Sequence, residues 1–265
     1  MTAPTLFDLT GRVAIVTGGG SDIGLTIARG FAANGADVYT TGRRTEVLAT
    51  AANAFEGKGS LLPLPLDVTD KSSILHAKDT IAATDGHLDI LVNNAGQPGP
   101  CSFWMCDDLF AVNAYPAFFV TSAFIGLLAK GATEHGAYSA SVINVTSMCA
   151  TVKIALSHFA YSAAKAAASH LTRMFATELA RRKIPIRVNA IAPGIWETEM
   201  TRDLLADMGL DRLAQGLQPI PHGRPGAANE MAGTAVWMAS ATGGYLNGQE
   251  VVVDGGYTVV NPASR

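Results

Sequence analysis

The stretch that decides the fold is Thr17-Gly18-Gly19-Gly20-Ser21-Asp22-Ile23-Gly24. It follows a short apolar run, Val13–Val16, and leads into a helical pattern, Ile23–Asn34. A glycine-rich turn between a first strand and a first helix lets backbone approach a pyrophosphate. The helix N-terminus then offers free N–H groups and the positive end of its dipole. Such a turn can also merely reverse the chain. Its position in the first βα unit is what points to a nucleotide.

The same alternation extends outward. Further strand patterns occur at Asp37–Thr41, Leu61–Leu66, Leu88–Val92, Ser141–Val145, Ile186–Ala190 and Val251–Val253. Several are apolar on both faces, as parallel strands covered by helices must be. Helical patterns lie between them at Thr45–Phe55, Lys71–Thr84, Asp107–Lys130, Phe159–Lys183, Thr201–Gly216 and Ala227–Ser240. This order predicts an α/β fold: a doubly wound, mainly parallel sheet with helices on both faces. One domain, residues 1–265, is expected, with a substrate-lid insertion at about 196–226, where Pro219, Pro221 and Pro225 interrupt the regular pattern.

Composition narrows the function classes. The chain has 265 residues, 48% of them hydrophobic and 15% charged. An average soluble chain is about 25% charged, so a disordered or solvating protein is excluded. The net charge of −3 provides no basic field for nucleic acid or anionic lipid. Met1–Leu9 lacks a basic region and carries Asp8, so it does not read as a signal peptide. The apolar run Ala117–Ala129 is interrupted by Thr121 and Ser122 and is shorter than the ~20 residues that span a bilayer, so it reads as a buried helix. Cys101, Cys106 and Cys149 have no metal-like spacing and read as free thiols. His76, His87, His135, His170 and His222 are scattered and suggest no metal site. A cytoplasmic protein acting on a small molecule is expected, with neither nucleic acid nor membrane as partner.

At the end of the second strand, an acid selects the ribose 2′-hydroxyl of NAD, whereas arginine accommodates the 2′-phosphate of NADP. Here the segment is Tyr39-Thr40-Thr41-Gly42-Arg43-Arg44, with no acid and two guanidinium groups. This favours NADP(H), with Arg43 ahead of Arg44 as the phosphate contact. Asp67-Val68 and Asn93-Asn94-Ala95-Gly96 follow the third and fourth strands, at the edge where ligands bind in open sheets. Tyr161 and Lys165 are four residues apart and share one helix face. A nearby ammonium would lower the phenol pKa. Ser147 ends the fifth strand, where its hydroxyl can donate to a substrate oxygen.

Thr17–Gly24, Asn93–Gly96, Asn113, Ser147, Tyr161/Lys165, Pro193-Gly194 and the tail Asn247–Gly256 occur in the order and spacing of the short-chain dehydrogenase/reductases. The chain resembles that family over essentially its whole length. The resemblance implies a Rossmann-type seven-stranded sheet and a nicotinamide cofactor. It implies Tyr161 as general acid/base and Lys165 as ligand of the nicotinamide ribose. Ser147 would polarise the carbonyl, and Asn113 would hold a water of the proton relay. The cofactor-contacting positions would be Gly18, Ser21, Asp22, Ile23, Arg43, Arg44, Asp67, Val68, Asn94, Ala95, Gly96, Tyr161, Lys165, Pro193, Gly194, Ile195 and Thr198, with Thr198 on the carboxamide. Asp22 departs from the family, which has glycine there; it is read as capping the helix, its carboxylate turned from the phosphates.

Gln97, Phe103, Trp104, Met148, His158, Trp196, Met200 and Met208 are candidates for the substrate pocket and suggest a bulky, apolar substrate. The expected activity is reduction of a ketone or related C=X bond by hydride transfer from NADPH. Imine or iminium reduction, or a redox-neutral cyclisation in a natural-product pathway of secondary metabolism, remains the alternative. Retention of both Tyr161 and Lys165 argues against a non-catalytic nucleotide-binding protein. The family habit of pairing the helices at Asp107–Lys130 and Phe159–Lys183 implies a homodimer or homotetramer.

Overall fold

The computed structural model describes residues 6–98, 106–135, 140–155, 158–202, 205–206 and 219–263. Seven parallel strands form one sheet: β1 (Val13–Thr17), β2 (Asp37–Gly42), β3 (Ser60–Pro65), β4 (Ile90–Asn93), β5 (Ala140–Val145), β6 (Ile186–Pro193) and β7 (Glu250–Val253). Their order is β3-β2-β1-β4-β5-β6-β7, with every neighbouring pair parallel. All seven strands expected from the sequence are present. Pro63 and Pro65 are accommodated because β3 is an edge strand and does not need every N–H.

Residues of β1 alternate between two cores. Val13 and Ile15 face one layer, with Leu91, Phe124, Val142 and Val188. Ala14 and Val16 face the other, with Phe31, Val92, Ile143 and Met231. This two-sided burial explains why the strand reads as an unbroken apolar run. The helices that cover the sheet are α1 (Asp22–Ala33), α2 (Thr45–Asn53), α3 (Lys71–Thr84), α4 (Cys106–Asn113), α5 (Tyr115–Glu134), α6 (Phe159–Arg181), α7 (Ala228–Ala239) and the short α8 (Tyr257–Val260). Helix α3 begins where expected because the Asp70 carboxylate caps it, accepting from the N–H groups of Ser72 at 3.0 Å and Ser73 at 3.2 Å.

One expected element is two. The pattern Asp107–Lys130 is broken at Ala114, which leaves the helical conformation and becomes the N-cap of α5. The cause is Pro116, which has no N–H to donate and whose ring would collide with the carbonyl of Val112 in a continuous helix. The break turns Asn113 inward at the end of α4, where it is buried. The expected helix Thr201–Gly216 falls largely outside the described residues.

Two features set the position of the site. Strand order reverses between β1 and β4, which opens a crevice at their carboxyl ends, beyond Thr17 and Asn93. In addition, Trp196 and Gly226 form a parallel bridge, and the Gly226 N–H donates to Ile195 O at 3.0 Å. The two ends of the 196–226 stretch are therefore held together at the rim of that crevice.

Candidate active site

A cleft of about 360 Å³ lies at the carboxyl edge of the sheet. Gly18 takes φ +65°, a left-handed conformation that glycine adopts freely. A Cβ on Gly24 would stand 2.1 Å from Gly18 O, so only glycine lets the helix start this close to the turn. Thr17 ties the turn to β4. Its hydroxyl accepts from the N–H groups of Asn94 at 2.9 Å and Ala95 at 3.0 Å, and donates to Val92 O at 3.2 Å. Asn94 Nδ2 donates back to Thr17 O at 2.9 Å.

Asp22 does not cap the helix. Ser21 occupies the N-cap position, without a side-chain cap bond, and Asp22 is the first helical residue, at φ +50°. Its carboxylate accepts from the Glu199 N–H at 3.1 Å. The family's glycine thus coincides with a left-handed backbone that disfavours side chains, and Asp is among the residues that tolerate it best. The side chain that replaces glycine bonds the rim of the cleft.

At the ribose end, Gly42, Arg43, Arg44, Asp67 and Val68 all line the cleft. Arg44 Nη2 lies 3.3 Å from Ser21 Oγ and 3.4 Å from Glu199 Oε2. Burial alone would raise the Asp67 pKa, but the N–H and hydroxyl of Thr69 and the charge of Arg43 outweigh it and hold the carboxyl below its usual value.

At the other end, Asn113, Ser147, Tyr161 and Lys165 line the same cleft, so the fold unites all four expected catalytic positions. Ser147 is buried two residues beyond β5, and its Oγ accepts from the Cys149 N–H at 3.2 Å. Lys165 Nζ donates to Val145 O at 2.9 Å and sits 5.7 Å from the centre of the Tyr161 ring. The expected depression of the phenol pKa is reversed: burial is the largest influence and pushes Tyr161 up to about 12, although a hydrogen bond with Ser147 works the other way. Burial likewise brings Lys165 down to about 8. Asn113 exchanges two bonds with the backbone of Gln97, accepting from its N–H at 3.2 Å and donating to its carbonyl at 3.1 Å.

The remaining cofactor positions also line the cleft, except Ile195, which packs instead beside Met148, Ile220 and Tyr257. Among the pocket candidates, Trp196 and Met200 line the cleft. Gln97 turns its amide to Asp108 O at 3.3 Å, Met148 is buried in its small cluster, and His158 is the exposed N-cap residue of α6. Phe103, Trp104 and Met208 lie outside the described residues. Sequence reasoning missed Glu199 and Thr201, which also line the cleft. Thr201 bonds the Trp196 carbonyl and, at 2.9 Å, the Thr198 hydroxyl. The signal was the polar run Thr198-Glu199-Met200-Thr201 inside an otherwise irregular insertion.

Comparison with known proteins agrees with this architecture. The profile of the enoyl-(acyl carrier protein) reductase family matches residues 18–258. Short-chain dehydrogenase/reductase PhomF of Diaporthe leptostromiformis is 36% identical, the match covering 100% of this chain and 97% of that protein. The rhamnolipids biosynthesis 3-oxoacyl-[acyl-carrier-protein] reductase of Pseudomonas aeruginosa is 33% identical over 95% of this chain and 98% of its own length. Among solved structures, the NADP active-site complex of Pseudomonas aeruginosa RhlG superposes with a TM-score of 0.87 at 31% identity, covering 96% of this chain and 98% of that one. This chain belongs to the short-chain dehydrogenase/reductase family and is an oxidoreductase.

The geometry at Asp22 yields a stability test. Asp22→Ala keeps a side chain in the left-handed region and loses the Glu199 bond, so it is expected to cost about 1–2 kcal/mol in urea unfolding. Asp22→Gly loses the same bond but relieves the backbone, and should unfold within about 1 kcal/mol of the parent protein. Equal losses in the two variants would contradict a backbone cost at this position.

Proposed function

We propose that this protein is an NADPH-dependent reductase of a ketone, or a related C=X bond, in a bulky apolar small molecule, and that Tyr161 is its general acid. The observation that carries the reading is one continuous cleft with Ser147, Tyr161 and Lys165 at one end and Arg43 and Arg44 at the other. Bound there, the nicotinamide would supply hydride to the carbonyl carbon. As negative charge develops on the substrate oxygen, the Ser147 and Tyr161 hydroxyls stabilise it, and Tyr161 delivers the proton. A phenol held at about 12 retains that proton at neutral pH. The Lys165 ammonium, anchored on Val145 O, lies near the forming phenolate.

The cofactor choice rests on Arg43 and Arg44, with no acid beside them, and on the NADP complex of RhlG. The apolar character of the substrate rests on Trp196 and Met200 in the cleft wall, and carbonyl chemistry on the relative named as a 3-oxoacyl reductase. The insertion at about 196–226 would act as the lid. Exposed Tyr115, Phe118 and Phe119 on α5 and Met174 on α6 support association of two copies through these helices.

Three outcomes test the reading. Tyr161→Phe should lose about 10²–10⁴-fold in kcat while still quenching or shifting NADPH fluorescence on binding; near-normal turnover removes Tyr161 from the reaction. Arg43→Ala should weaken NADPH by roughly ten- to a hundredfold and NADH much less, because a charge-assisted bond contributes about 1.5–3 kcal/mol. Equal weakening of both cofactors would separate Arg43 from the 2′-phosphate. Reduction needs Lys165 charged, and its pKa is lowered to about 8. The kcat/KM for reduction should therefore be level at lower pH and decline as pH rises through that value. A profile that stays level well above it contradicts the role of Lys165.

A further inference from the structure

At the opposite edge of the sheet, where β4 begins, four side chains from two segments converge. His87 comes from the loop before β4, Asp89 from the residue preceding the strand, and Glu134 and His135 from the carboxyl end of α5. One ligand-capable atom from each of His87, Glu134 and His135 lies within 4.8 Å of the others. Asp89 is fully buried and spans the two imidazoles: its Oδ2 is 3.3 Å from His87 Nε2, and its Oδ1 is 3.6 Å from His135 Nε2. Glu134 Oε2 is 3.4 Å from His87 Nδ1.

His87 Nδ1 also lies 3.0 Å from the Asp85 carbonyl. Nε2 is buried, makes no hydrogen bond, and faces a carboxylate oxygen. A positive centre between that nitrogen and the carboxylate, a proton or a metal ion, would satisfy both. Asp89 is partly compensated by Arg12 Nη1 at 3.1 Å from Oδ1 and by the Val13 N–H at 2.9 Å from Oδ2. Even with Arg12 counted, Asp89 and Glu134 leave the cluster with one net negative charge when both imidazoles are neutral. His135 is the C-cap residue of the 20-residue helix α5, so the negative end of that dipole adds to the field. Gly131 allows this close packing, since a Cβ there would lie 2.3 Å from Leu88 O.

We propose that His87, Glu134 and His135, with Asp89 in reach as the fourth group, form a binding site for a divalent transition-metal ion of the zinc type. Imidazole and carboxylate together suit zinc and its neighbours rather than calcium or magnesium. With bonds of about 2.0–2.2 Å, adjacent ligand atoms around a tetrahedral ion stand roughly 3.3 Å apart, close to the spacings between Asp89 and the two imidazoles. Asp85 serves as the outer partner that orients His87, the arrangement expected for a ligating histidine. The ion would staple the end of α5 to the start of β4, across the sheet from the catalytic cleft, and its role is structural.

The test uses the full chain, stripped with a chelator and titrated with Co²⁺ and then Zn²⁺. The expected result is one Co²⁺ per chain with the visible absorption of a four- or five-coordinate ion, displaced by Zn²⁺, and a Zn²⁺-dependent rise in melting temperature. Glu134 and His135 are surface residues, so Glu134→Gln and His135→Ala should fold. Each should weaken Co²⁺ at least about tenfold, since even loss of an outer-shell partner costs 10–100-fold. His76→Ala and His170→Ala, elsewhere on the surface, should leave affinity and spectrum unchanged. Absence of saturable binding, or equal affinity in the parent and the His135→Ala protein, overturns the proposal.

Discussion

A buried chain of side-chain hydrogen bonds beneath the cleft holds the site together. Asn93 Nδ2, at the end of β4, donates to Asn144 Oδ1 at 2.7 Å and to Thr121 Oγ1 at 3.0 Å. Asn144 Nδ2, in β5, donates to Thr172 Oγ1 at 2.8 Å. Two strands and the two long helices α5 and α6 are therefore joined by polar contacts in a dry interior, where such bonds are strong and an unmade one is costly. Thr172 is two helical turns from Lys165 on the same face of α6. The contact that seats Thr172 consequently sets the rotation of the helix that carries Tyr161 and Lys165.

From that anchoring follows the character of the chemistry. Tyr161 and Lys165 are carried into the interior, and desolvation disfavours the charged form of each, so the phenol is pushed up and the ammonium down. Their spacing on the helix brings them together, but burial, which spacing does not report, decides the direction of the shifts. The same tertiary logic applies at Asp22. A sequence reading sees an acid at a helix start and assigns it to the cap. The fold places it at positive φ, one position past the cap, and gives its carboxylate a partner in the rim of the cleft, far away in the chain.

Much of the fold is legible in short stretches. The apolar runs mark the strands because burial on both faces leaves no polar register, as Val13–Thr17 illustrates with all five residues buried. Lys71–Thr84 is bounded as read, because its Asp70 cap is a local interaction. The break at Ala114 was harder: Pro116 sat inside a periodic apolar pattern that looked continuous, and one missing N–H outweighed it. In the cleft, the Gly-rich turn and the Tyr161/Lys165 pair were legible because each is a local geometric device. The fates of Gln97 and Met148 were not, since both side chains turn to neighbours outside the cleft.

The sequence by itself determined the alternation of strands and helices, the glycine-rich turn, the pairing of arginines after β2 and the i, i+4 placement of Tyr161 and Lys165. These depend on backbone propensity and periodicity over a few residues. The tertiary structure alone decided that Ser147 and Asn113 share a cleft with that pair, that Asp22 meets Glu199, and that His87 and His135 stand on either side of Asp89. Those encounters join residues far apart in the chain. They arise only when the crossovers have stacked the helices on the sheet and burial has chosen which atoms are left facing one another.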